Sequence, residues 1–142
     1  MKSSKSFKMK YKIINKLNKS QRKELYKLYK KEWWSKDRSK KEIKKMLQHS
    51  DITIAIINKK GYLIGFVRVL SDFVFKAEIY DVIVAKKYRG LGFGELLVKE
   101  VLHHKKLKKV RQFNLQCLED MVPFYEKFGF KEVKGLIYMR KD

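Results

Sequence analysis

Apolar positions along this chain fall into two rhythms, and their order predicts the architecture. Tyr11–Ile14 reads as a short first strand. Leu25, Leu28 and Tyr29 then recur at helical spacing, predicting a helix that Asn18 or Ser20 caps and that ends near Trp33. Ser39-Lys40-Lys41-Glu42 has the form of a capping box, in which serine and glutamate each satisfy a backbone N–H at the helix start. Ile43, Met46 and Leu47 follow on one face of a second helix. Ile52–Ile57 and Tyr62–Leu70 are β-rich runs joined by Asn58-Lys59-Lys60-Gly61, a hairpin signal, and a further strand covers about Ala77–Val84. Leu96, Leu97, Val101 and Leu102 mark a third helix, and Phe113–Leu118 a strand. Pro123 suits the first turn of a short fourth helix and Gly129 its C-terminal cap. Val133 and Leu136–Met139 are expected to pair as closing strands.

Two helices, an antiparallel meander, then strand–helix–strand–helix–strand define a mixed α+β domain. The crossover places Ala77–Val84 beside Phe113–Leu118 as a central parallel pair in an otherwise antiparallel sheet, with helices on both faces. No proline- or glycine-rich boundary divides the 142 residues, so one domain is expected over 1–142, with residues 1–8 a flexible basic tail.

Composition narrows the class. Apolar residues make up 44% of the chain, too many for a disordered one, and no run approaches the ~20 apolar residues that span a bilayer. The basic N-terminus leads into no apolar signal core, so a cytoplasmic protein is expected. One cysteine, Cys117, excludes an internal disulfide, and no metal is expected. The net charge of +21 raises nucleic-acid binding, but lysine outnumbers arginine 30 to 6 and the lysines are scattered along the chain. A solvated lysine surface is the favoured reading.

The candidate chemistry lies between the Ala77–Val84 strand and the third helix. Arg89-Gly90-Leu91-Gly92-Phe93-Gly94-Glu95 sets three glycines at alternate positions just where that helix begins. Glycine lets the backbone curl tightly with no Cβ in the way, and the helix start offers unpaired N–H groups and the positive dipole end, a combination suited to pyrophosphate. Gly94 is followed by Glu95-Leu96, so the lysine and hydroxyl of a Walker loop are missing. Counting from Gly90 and Gly92, the third glycine of a dinucleotide fingerprint would fall on Glu95. A loop that binds phosphates without breaking them suits coenzyme A.

Asp81-Val82-Ile83-Val84 running through Arg89-x-x-Gly92-x-Gly94, followed by Val122-Pro123-Phe124-Tyr125-Glu126-Lys127-Phe128-Gly129-Phe130, resembles the two signature segments of the GCN5-related N-acetyltransferases (GNAT). Order and separation match too, and the resemblance covers about Tyr11 to Met139. It implies an acetyl-CoA-dependent N-acetyltransferase with an amine acceptor and no metal. The cosubstrate would lie in a V between the two parallel strands. Main-chain groups of Ile83 and Val84 would meet the pantetheine arm, and those of Arg89, Gly90, Leu91, Gly92, Phe93, Gly94 and Glu95 the pyrophosphate. A backbone N–H near Ile83 would steady the thioester oxygen.

Tyr125 matches the tyrosine that protonates the leaving thiolate in many family members; packing beside Phe124 and Phe128 is the alternative. Glu78 and Asp81 are candidates for the base that deprotonates the acceptor. Their opposite parity sends them to opposite faces of an ideal strand, unless a bulge intervenes. Glu119 and Asp120 are further carboxylates, and Asp120 can alternatively cap the last helix. Trp33 and Trp34 fall where the family lines its acceptor site, although at least one is expected in the core. Cys117 is expected to be an inert core residue. A homodimer is compatible with all of this. The rival reading is a catalytically silent module that keeps the fold for regulation or nucleic-acid association.

Overall fold

Asn18 starts the first helix, α1 (Lys19–Lys30), through a complete capping box: its side chain accepts from Gln21 N–H, and Gln21 Oε1 accepts from Asn18 N–H. Ser39 and Glu42 make the reciprocal pair at the head of α2 (Lys40–Gln48). The computed structural model describes residues 9–142, so the basic tail expected at 1–8 lies outside the described residues. Helix α1 ends at Lys30, and Trp33 and Trp34 sit in the turns that follow.

Five strands form one sheet in chain order: β1 (Tyr11–Ile14), β2 (Ile52–Asn58), β3 (Leu63–Ser71), β4 (Lys76–Val84) and β5 (Gln112–Asn114). Pairing is antiparallel from β1 to β4 and parallel between β4 and β5. Gly61, at φ 87°, closes the β2–β3 hairpin in a backbone region that favours glycine. One face carries α1 and α2, whose Leu25, Tyr29 and Ile43 pack on Ala55, Phe66 and Ile83. The other carries α3 (Phe93–Leu102), whose Phe93, Leu97 and Val101 pack on Ile54, Val67, Val69 and Ile79. Each fully buried side chain of this size contributes about 1.5–3 kcal/mol relative to exposure. The sheet thereby holds α3 and the loop before it in a fixed place.

Two expectations fail at the C-terminal end. The strand expected over Phe113–Leu118 pairs only at Gln112–Asn114. The closing strands do not form: after Gly129 turns the chain out of α4 (Val122–Glu126), residues 131–142 are exposed and unpaired. Leu136 is 75% exposed and Ile137 87%, so their apolar pattern finds no core to face. The parallel pair consequently lies at an edge of the described sheet rather than at its centre.

Candidate active site

The short β5 leaves the later part of β4 without a strand partner on that side. Lys76, Ala77 and Glu78 pair with Gln112, Phe113 and Asn114, and beyond that rung β4 continues to Val84 while β5 turns away. The vertex is marked by Glu78, half-buried, whose Oε1 accepts from Asn114 Nδ2 at 3.0 Å. Arg89 Nε donates to Val84 O at 2.9 Å, so that carbonyl points away from the β3 ladder. Ala85 N–H, in contrast, donates to Ile64 O across that ladder. Main-chain groups alternate sides along a strand. Ile83 therefore turns its N–H and C=O toward β3, and Val84 turns its own to the opposite side.

A bulge in β4 changes which faces its carboxylates reach. Arg68 stands opposite Tyr80 and Phe66 opposite Ile83, leaving Val67 alone against Asp81 and Val82. Asp81 takes φ 59°, a conformation that aspartate tolerates better than most side chains. Ala77 and Ile79 pack on the α3 side, and Ile83 on the α1 side. The extra residue thus brings Glu78 and Asp81 to the same face despite their parity.

Their surroundings differ sharply. Asp81, its side chain 6% exposed, accepts from Arg68 Nε at 2.7 Å, Arg38 at 2.8 Å and Tyr29 Oη at 2.9 Å. Burial pushes its carboxyl up, but the hydrogen bonds and charges of Arg38 and Arg68 outweigh burial and hold it below the usual range. Tyr29 is raised by burial and by the Asp81 charge, and stays a phenol that donates. Asp81 has three donors on it and ties α1 and the following turns to the bulge. Arg38 also lies over the rings of Tyr29 and Trp34, at 4.7 and 5.5 Å, and Arg68 over Tyr80 at 4.8 Å. Trp33 is 68% exposed and Trp34 38%, so neither is core. Trp34 and Tyr80 instead flank the face onto which Glu78 opens.

Above the vertex lies the glycine loop. Gly90 has φ 77° and Gly92, the N-cap of α3, φ 92°. A Cβ added at Gly90 would meet no neighbouring atom, so the loop backbone is not hemmed in by protein there. Leu96 N–H closes on Gly92 O, and the N–H groups of Phe93 and Gly94 lie ahead of that bond at the very start of the helix. Phe124 of α4 lies 3.5 Å from the position of a Cβ on Gly94, and Lys127 Nζ meets Glu95 Oε1 at 2.6 Å. Arg89 also reaches Glu32 at 2.9 Å, linking the loop to the segment after α1.

Tyr125, on α4, is buried against Phe124 and Phe130. Burial first, and then Cys117, pushes its phenol up to about 12. Among the described residues its hydroxyl takes no hydrogen-bond partner. Cys117, expected in the core, is exposed where the chain leaves β5; burial and the Asp120 and Glu132 charges push its thiol up. Glu119 and Asp120 lie exposed in a 3-10 turn before α4, and no side chain caps that helix. Asn114, Tyr80, Arg38 and Arg68 escaped sequence reasoning, because only the fold brings them beside Glu78 and Asp81.

Comparison with known proteins identifies the family of the chain. A family model described as an acetyltransferase (GNAT) domain matches residues 16–141. The chain is 34% identical over 112 residues to ycf52 of Pyropia yezoensis, named an uncharacterized N-acetyltransferase, covering 74% of this chain and 64% of that one. It is 32% identical over 83 residues to the chloroplastic GCN5-related N-acetyltransferase 2 of Arabidopsis thaliana, covering 56% of this chain and 32% of that one. The chain thus spans less than two thirds of these relatives' length. A crystal structure from Deinococcus radiodurans, described as an acetyltransferase, superposes with a TM-score of 0.75 at 27% identity, over 92% of this chain and 88% of that one.

Proposed function

The chain belongs to the GNAT acetyltransferases, and from that premise we propose that it transfers the acetyl group of acetyl-CoA to a primary amine of a small molecule or protein. One observation carries the reading: a parallel strand pair that stops after three rungs, with β4 running on to left-handed glycines at a helix start. The open space at Gly90 fits a pyrophosphate held by main-chain N–H groups from Arg89 to Glu95. The pantetheine arm falls to Val84, whose main-chain N–H faces away from β3, beside Ile83, the other residue expected there, whose main-chain groups face β3. Bound there, acetyl-CoA supplies the activated thioester.

The chain's own residues then position and move protons. Glu78 takes a proton from the acceptor ammonium, directly or through water, freeing the amine that forms the new C–N bond. As the C–S bond breaks, Tyr125 gives its proton to the departing sulfur. Burial keeps Tyr125 protonated through the physiological range, and the same dry surroundings raise the basicity of a thiolate leaving beside it. Asp81 is assigned to position the bulge, because its carboxylate is already saturated by three donors. Trp34 and Tyr80, with Trp33 more exposed beyond them, form the acceptor's aromatic approach. Much of the acceleration comes from holding amine and thioester together.

Acetyl-CoA added to the whole chain is expected to raise its thermal stability, and a panel of small amines, polyamines and peptide N-termini to release free thiol. Stabilisation without thiol release from any amine would favour the catalytically silent alternative; no stabilisation at millimolar acetyl-CoA would remove the reading altogether. No helix among the described residues is long and apolar enough to cross a membrane. A cytoplasmic location is part of the proposal, checked by fractionation of the source cells.

A further inference from the structure

The lysines that are scattered in sequence are in part gathered by the fold. At the end of the sheet remote from the glycine loop, a cavity of about 730 Å³ opens where four separate stretches meet. The β1–α1 connection brings Lys16, the first turn of α1 brings Arg22, α2 brings Lys44, and the turn after α3 brings Lys105 and Lys106. Against these five cations stands one lining carboxylate, Asp51, whose Oδ2 already accepts from Ser71 N–H at 2.8 Å. The ten residues of α3 separate the cavity from the glycine loop by about 15 Å. A second, adjoining cavity of about 480 Å³ shares Asn15, Lys16 and His104 with the first.

We propose that this cavity is a binding site for a small organic polyphosphate, separate from the acetyl-CoA cleft. Several observations define that class. Five cations exceed what a single phosphate neutralises, and lysine binds phosphate as a point charge without demanding a fixed fork. Arg22 is held in place by its bond to Leu17 O at 3.1 Å. Lys106 N–H donates to His104 Nδ1, which leaves Nε2–H of the neutral ring as a further donor. Leu17, Leu47 and Ile52 supply an apolar wall for the organic part, and the volume is that of an ordinary ligand pocket. Among the described residues no Phe, Tyr or Trp lines either cavity, so the broad stacking platforms on which single-stranded nucleic acid depends are missing.

The site carries its own reporter. His104 is held below its ordinary value by partial burial and then by Lys106 and Lys105, with Glu100 opposing them. A bound polyanion must offset those lysines and raise it.

The test is NMR titration of the whole chain with inorganic tripolyphosphate at about 150 mM salt, with sulfate at matched ionic strength as control. Saturable one-to-one binding is expected, with a rise in the His104 pKa and signal changes confined to residues around Lys16, Arg22, Lys44 and His104. Lys105→Ala/Lys106→Ala, and separately Lys44→Ala, are expected to weaken binding, the double variant by about tenfold or more. All should leave stabilisation by acetyl-CoA unchanged. Non-saturating shifts over all surface lysines, or affinity indifferent to these substitutions, would overturn the proposal. So would binding lost in Gly92→Val, which would locate it at the glycine loop. Capture of a single-stranded oligonucleotide without tripolyphosphate binding would overturn it in favour of a nucleic-acid surface.

Discussion

Replacing Asp81 by asparagine separates a structural carboxylate from a catalytic one. The amide keeps the shape and tolerates the φ of 59°, so the change isolates the charge from the backbone. It leaves Arg68 and Arg38 without their counter-charge and turns an NH2 donor toward three groups that all donate. Breaking a buried ion pair by removing one partner costs about 3–5 kcal/mol. Arg38 is 29% exposed and can regain water, which puts the expectation near the lower end, about 3 kcal/mol. For a domain of this size that is roughly 10 °C in Tm.

Chemical denaturation and thermal scanning measure the loss. Thiol release, read well below the variant's Tm, measures catalysis. Because the folded Asp81 carboxyl lies below its usual value, its stabilisation is complete above the ordinary carboxylate range and disappears as pH falls through the depressed value. Wild type should therefore lose stability more steeply in acid than Asp81→Asn does. In the folded variant, turnover is expected within about tenfold of wild type, since proton removal is assigned to Glu78. Wild-type stability combined with a thousandfold fall in kcat would refute the reasoning and return the base to Asp81.

Glu78→Gln should show the opposite pattern, with stability within about 1 kcal/mol of wild type and kcat down by about 10²-fold or more. Gly92→Val forces a branched side chain into φ 92°, strain of order 1–3 kcal/mol. Acetyl-CoA at a hundred times its Kd stabilises wild type by about 2.7 kcal/mol; in this variant that gain should vanish. Tyr125→Phe is expected to lower kcat about 10²-fold with little change in the KM for acetyl-CoA. Because Tyr125 is raised from 10.0 to about 12, its contribution to stability is complete below its unfolded value and lost as pH rises through about 12. Alkaline denaturation of Tyr125→Phe should accordingly be shallower than that of wild type.

Local signals in the sequence held where the physics is local. The capping box of Ser39 and Glu42, the hairpin at Gly61, and the glycines opening α3 each depend on residues a few positions apart, and each forms as the pattern implies. Asn18 prevailed over Ser20 as the α1 cap because Gln21 closes the reciprocal bond. Strand parity is local as well, but it is hostage to one inserted residue. The bulge at Asp81 and Val82 exists because β3 supplies a single Val67 opposite them, a fact about pairing that no spacing in β4 encodes.

The donor side of the proposal was therefore legible in the sequence alone: alternate glycines at a helix start present main-chain N–H groups together, and Tyr125 lies in a contiguous motif. Tertiary structure decided the remainder. It buried Asp81 between Tyr29, Arg38 and Arg68, which are far apart in the chain. It left both tryptophans at the surface and Leu136 to Met139 without a core. It also drew lysines from three stretches around one cavity. Charge, burial and hydrogen bonding act across space, so a carboxylate's role follows from what the fold sets beside it.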